Sequence, residues 1–153
     1  MRWLMPALLI FSLCVNPVNA VEPPVTHSIA GDDGGSILEY IARYVVWQKN
    51  GDSVRIEGEC DSACTIVLGV VDTSRICATR NAEFGFHSAS LAYANGSIEY
   101  SADATRLLWW FYEDRVKRVI VRHGWKGPSF HPKLLMIDAL EFVRPCTWED
   151  YHG

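Results

Sequence analysis

The chain has 153 residues, and its 18 acidic and 14 basic side chains leave a formal charge of −4. Such a balance argues against a phosphate backbone as partner, so nucleic acid is not expected. Residues 1–20 carry Arg2, an apolar run from Trp3 to Val15, and Val18-Asn19-Ala20 at the end. This order of charge, apolar stretch and small residue reads as a signal peptide cleaved after Ala20, and predicts a periplasmic or secreted protein. The apolar run is too short to span a bilayer as a mature helix, so no stable membrane span is expected once it is removed. Residues 21–153 then form a single domain large enough for its own core.

After a Pro23-Pro24 tail, a short strand is expected near Thr26–Ala30, followed by the loop Gly31-Asp32-Asp33-Gly34-Gly35. The next helix, Ser36 to about Gln48, would bury Ile37, Ile41, Tyr44 and Val45, with Asn50-Gly51 ending it. Val54 to Gly58 alternates like a strand and runs into Glu59-Cys60-Asp61-Ser62-Ala63-Cys64. An apolar run from Thr65 to Val71 follows at once, so Ser62 sits at a strand-to-helix turn. Unpaired N–H groups and the macrodipole favour negative charge at such a turn.

A short strand over Ser74–Ala78 and a turn at Arg80-Asn81 lead to Ala82-Glu83-Phe84-Gly85-Phe86-His87. Ala82, Phe84 and Phe86 share one face of that strand, and His87 shares the other with Gly85. Residues 88–101, small and polar, read as a long loop of the kind that makes a lid or flap. Asp103–Arg122 reads as the longest helix, burying Leu108, Phe111, Tyr112, Val116, Val119 and Ile120. Trp110 and Val121 fall on its charged side, which predicts a homo-oligomer contact there. An irregular stretch from Trp125 to Pro132, a helix from Pro132 to about Phe142 and a loop after Thr147 complete the chain. Alternating strands and helices predict an α/β fold with much parallel pairing.

Four cysteines remain after residue 20: Cys60, Cys64, Cys77 and Cys146. An even number behind a signal peptide predicts disulfides, with all three pairings open. C-x3-C without a histidine pair is a poor zinc pattern, so neither metal nor cofactor is expected.

Ser62 and His87 make a candidate nucleophile and base. With the apolar helix after Ser62 and a Gly34-Gly35-Ser36 loop one unit earlier, they resemble the proteolytic subunit of the Clp protease, in the wider ClpP/crotonase fold. The patterns C-x-S-A-C-T, R-I-C and G-F-H-S-A are most similar to small exported bacterial ClpP-like proteins. Asp33 stands where that family's loop has proline, and the resemblance covers roughly residues 29–143.

The resemblance implies a truncated ClpP/crotonase-like layered fold, its mainly parallel sheet flanked by helices, lacking some N-terminal strand–helix units. It implies a serine hydrolase acting on a peptide or an ester, with Ser62 as nucleophile and His87 as base. The oxyanion donors would be the backbone N–H groups of Gly35 and Ala63. It also implies self-association, since ClpP-like proteins form rings. The family's aspartate should fall near His131, where no carboxylate stands. Asp138 is the nearest acid and becomes the third catalytic candidate, with Asp103 and Asp114 more remote. The alternative is a catalytically silent, disulfide-stapled exported domain that binds a peptide or protein partner through the same groove.

Overall fold

A computed structural model describes residues 23–131 and 133–152. The expected signal peptide, residues 1–20, lies outside the described residues. Strand β1 (Thr26–Asp32) passes through helix α1 (Ile37–Asn50) to strand β2 (Ser53–Asp61), and the two strands pair in parallel. The helix stops where Gly51 takes φ 80° and returns its N–H to the last turn. Two aromatics, Tyr40 and Tyr44, form the buried stripe of α1, while Ile37 and Ile41 are only partly covered.

A 3-10 turn over Ser62–Ile66 opens into the one-turn helix α2 (Val67–Val70). Residues Ala63 to Leu68 are all buried, so the apolar run is a hinge inside the core rather than a surface helix. Strands β3 (Ile76–Ala78) and β4 (Glu83–Phe86) both run parallel to β2. β3 lies beside its first half, pairing Val54 with Ile76, and β4 beside its last residues, pairing Asp61 with Gly85. The sheet therefore curls around β2. The expected facing of Ala82, Phe84 and Phe86 holds, all three being buried.

Several sequence expectations are corrected. The 88–101 stretch is not an irregular loop: β5 (Ser90–Ala92) and β6 (Ile98–Tyr100) pair as an exposed antiparallel hairpin around the Asn95-Gly96 turn. The Asp103–Arg122 helix is two helices, α3 (Ala102–Phe111) and α4 (Asp114–Arg122). They break at Tyr112, which is extended (ψ 134°), buried, and held by its hydroxyl 2.6 Å from Thr65 Oγ1. A tertiary hydrogen bond in the core thus overrides local helical periodicity. Finally, the segment after Pro132 forms strand β7 (Leu135–Asp138), antiparallel to β4, and a 3-10 turn over Ala139–Glu141. A short apolar run such as Leu134–Ile137 fits either period, and the open edge of β4 decides in favour of a strand.

Strand β8 (Arg144–Pro145) pairs with β3, and helix α5 (Glu149–His152) closes a segment expected to be loop. The Arg144 guanidinium grips Asp150 at 2.7 and 2.6 Å, holding that carboxyl well below the usual range. Overall the chain is a mixed α/β fold with a curled, mainly parallel sheet flanked by helices. Its core is built on Ile56, Ile66, Phe84, Phe86, Leu108, Ile120 and Phe142.

Two disulfides form, Cys60–Cys64 with Cα atoms 5.3 Å apart and Cys77–Cys146 with Cα atoms 4.8 Å apart. They settle the pairing that the sequence left open, and they fit an oxidising compartment. No helix among the described residues is long and apolar enough to cross a membrane. Trp110 is 73% exposed, so the hairpin does not cover it.

Candidate active site

Ser62 and His87 lie just past the carboxyl ends of two adjacent parallel strands, β2 and β4. Ligand sites of open α/β sheets gather at this edge, because loops there converge on helix starts. Ser62 has φ 56°, the only non-glycine residue in the left-handed region among the described residues. A non-glycine residue there carries strain of about 1–3 kcal/mol and persists only where its surroundings over-determine it.

Several contacts impose it. Cys60 and Cys64 clamp the turn from both sides. The Thr65 hydroxyl donates to the Ser62 carbonyl at 2.5 Å, which makes the Tyr112 hydroxyl the donor to Thr65. Tyr44 donates its hydroxyl to the Cys64 carbonyl at 3.0 Å. Burial pushes both phenols far above their ordinary pKa, so they remain donors at any physiological pH.

The Gly34-Gly35 loop closes over this turn. Gly34 has φ 83°, and a Cβ on it would meet Ser62 Cβ at 2.6 Å, the Asp61 carbonyl at 2.7 Å and the Ala63 nitrogen at 2.9 Å. Only glycine fits there. The Gly34 N–H donates to Asp32 Oδ1 at 2.9 Å, so its own donor is engaged. Asp32 is held in turn by Tyr40. The loop and the Ser62 turn, which the sequence places 28 residues apart, are thus brought into contact.

Ser62 is half-buried, and Asp61, the residue that caps its turn, makes no side-chain hydrogen bond to it among the described residues. His87 is also half-buried, and its Nδ1 lies 2.8 Å from the Ser88 carbonyl. A carbonyl only accepts, so Nδ1 carries a proton, and in the neutral ring Nε2 keeps the lone pair that a general base requires. No hydrogen bond joins Ser62 Oγ to the His87 ring among the described residues.

Asp138 is not brought to His87. The antiparallel register sets Asp138 opposite Glu83, at the entry of β4, whereas His87 follows its exit. At about 3.4 Å per residue the two are separated by roughly 14 Å along the strand. Asp138 instead accepts the Leu140 N–H at 2.8 Å, capping the Ala139–Glu141 turn. The remote candidates Asp103 and Asp114 face solvent on α3 and α4, in ion pairs with Arg106 and Lys117.

Sequence reasoning missed Asp61. It pairs across the sheet with Gly85, and its Oδ1 sits where a Gly85 Cβ would be, 2.1 Å from that position. The space that Gly85 opens beside the imidazole is therefore taken by a carboxylate from the next strand. Asp61 is 8% exposed, and Oδ1 is a buried oxygen with no hydrogen-bond partner among the described residues. Burial raises the Asp61 pKa, and Glu59, Asp33 and Glu83 raise it further, against a lowering by His87. The sequence signal for this contact is the alternation that puts Gly85 on the His87 face, which leaves room for a side chain of the neighbouring strand.

Asp61 and His87 line a cavity of about 420 Å³ together with Asp33, Ser88, Tyr100, Phe130, His131 and Lys133. His131, where the resemblance expects a carboxylate, comes to the same cavity as His87. It is tied down by a main-chain and side-chain exchange with Ser88, and its Nδ1 lies 2.8 Å from the Lys133 carbonyl. Among the described residues, the one cluster of three metal-type ligands is Cys77, Cys146 and Asp150, whose two cysteines are joined in a disulfide.

No protein-family model matches the chain, and no curated protein matches its sequence.

Proposed function

We propose that the chain is a ClpP-like serine hydrolase acting on a peptide or an ester, with Ser62 as nucleophile and His87 as general base. The observation that carries the reading is the strained Ser62 turn, closely backed by Gly34 and set at the exit of β2 beside the His87 strand. In this reading His87 Nε2 takes the Ser62 proton as the oxygen attacks a carbonyl, then returns it to the leaving group. The Ser88 carbonyl takes the orienting part that the resemblance assigns to an aspartate. The N–H groups of Ala63 and Gly35 hold the oxyanion, since the Gly34 N–H is engaged by Asp32.

The decisive experiment treats the purified mature protein with a fluorophosphonate probe, beside Ser62→Ala and His87→Ala. Labelling of the wild type alone is expected. Equal labelling of wild type and Ser62→Ala, or none at all, removes the reading.

The missing Ser62–His87 hydrogen bond favours a second reading, a disulfide-stapled binding domain that uses the same groove. Catalytic contacts often close only around substrate, and the fluorophosphonate outcome separates the two readings.

Self-association completes the proposal. Trp110, on the charged side of α3, offers a large exposed aromatic. Sedimentation of wild type against Trp110→Glu tests it, and a monomer in both cases removes it.

A further inference from the structure

We propose that the cavity lined by Asp61 and His87 is a subsite for a primary ammonium group, such as a lysine side chain, held by Asp61. As a statement about substrate it rests on the hydrolase reading; as a statement about binding it does not.

The fold leaves the Asp61 carboxylate uncompensated among the described residues. Asp61 lines the cavity and is 8% exposed, and its buried Oδ1 has no hydrogen-bond partner among the described residues. Burying an unpaired carboxylate is costly, and folds ordinarily pair such groups. Its seat is also specific: it requires Gly85 on the facing strand, because any larger residue would occupy the same space. A partner of opposite charge entering the cavity would relieve the cost.

The surroundings select the kind of partner. Asp33 lines the same cavity, and Glu59 and Glu83 are near enough to act on Asp61. Both histidines spend Nδ1 on backbone carbonyls, so each ring, when neutral, has an accepting Nε2. Lys133 is the one cation of the lining, and it is exposed at the rim. A site richer in acceptors than donors suits an ammonium group, which brings three donors and no acceptor. Tyr100 and Phe130, edge to face with centroids 5.2 Å apart, add aromatic faces on which a cation can rest. An apolar occupant would leave Asp61 buried and unpaired, and an anion would be repelled.

The test uses the mature chain carrying Ser62→Ala, so that nothing is turned over. Calorimetry at neutral pH compares Nα-acetyl-lysine methylamide with an uncharged aliphatic analogue, Nα-acetyl-norleucine methylamide. The lysine compound is expected to bind about tenfold more tightly, and Asp61→Asn to abolish that preference. Equal binding of the two probes, or a preference that survives Asp61→Asn, overturns the proposal. Should Asp61→Asn fail to fold, Asp33→Asn decides: the preference must weaken, and an unchanged ratio overturns the proposal. Failure of fluorophosphonate labelling would remove the hydrolase and leave this result standing, so the two ideas fail separately.

Discussion

Gly34 and Ser62 are packed so closely that a Cβ on the glycine would lie 2.6 Å from the serine Cβ. The loop after β1 and the turn after β2 are therefore one unit, and the backbone of one sets the conformation of the other. Gly34→Ala is expected to displace the Ser62 turn, because backbone at 2.7 and 2.9 Å blocks the new methyl and φ 83° disfavours alanine. Loss of most fluorophosphonate labelling, with a stability cost of about 1–3 kcal/mol, is the expected outcome. A control, Gly31→Ala, meets no atom within 4 Å and should label normally. Labelling of Gly34→Ala at the wild-type rate would show that the contact has no bearing on the serine.

Asp138→Asn distinguishes a cap from a catalytic carboxylate. The side chain accepts the Leu140 N–H and lies at the far end of β4 from His87. Activity should stay within about twofold of wild type, while stability falls by no more than about 1 kcal/mol. A fall in kcat of a hundredfold or more, the size expected of a lost orienting group, would contradict the strand register.

The two disulfides should differ in worth. Cys77–Cys146 closes 69 residues and Cys60–Cys64 only 4. Loop-closure entropy then assigns about 4 kcal/mol to the first and about 2 kcal/mol to the second. Denaturant unfolding of the paired alanine variants should show the long loop costing more. The short one clamps the Ser62 turn, so its removal should lower fluorophosphonate labelling more than stability. The reverse ordering of the two stabilities would mean that strain or denatured-state structure outweighs chain entropy.

Asp61 should make folding pH-dependent. Its folded pKa is raised above the usual 3.8, chiefly by burial and then by Glu59 and Asp33. A raised carboxyl favours the protonated folded state, so its contribution is present below the unfolded pKa and is lost as pH rises through the folded one. Asp61→Asn, which carries no charge to bury, should be more stable than wild type at neutral pH by about 1 kcal/mol. The two should converge at pH values below 3.8. A thermal-melting series that shows a constant difference across this range would mean that Asp61 is not the group responsible.

What the sequence determined by itself was the part written in short-range pattern. The turn at Ser62, the buried face of Phe84 and Phe86, the glycine loop and the largely parallel α/β plan all follow from local spacing, because period and turn chemistry act over a few residues. Tertiary structure decided whatever depended on a distant partner. The open edge of β4 made a strand of Leu135–Asp138, and Thr65 broke a helix by holding Tyr112. Sheet register carried Asp138 away from His87 and laid Asp61 over Gly85 instead, a neighbour 24 residues away in sequence. Which carboxylate stands beside an imidazole is a matter of strand register, and register is fixed only when the whole sheet buries its face.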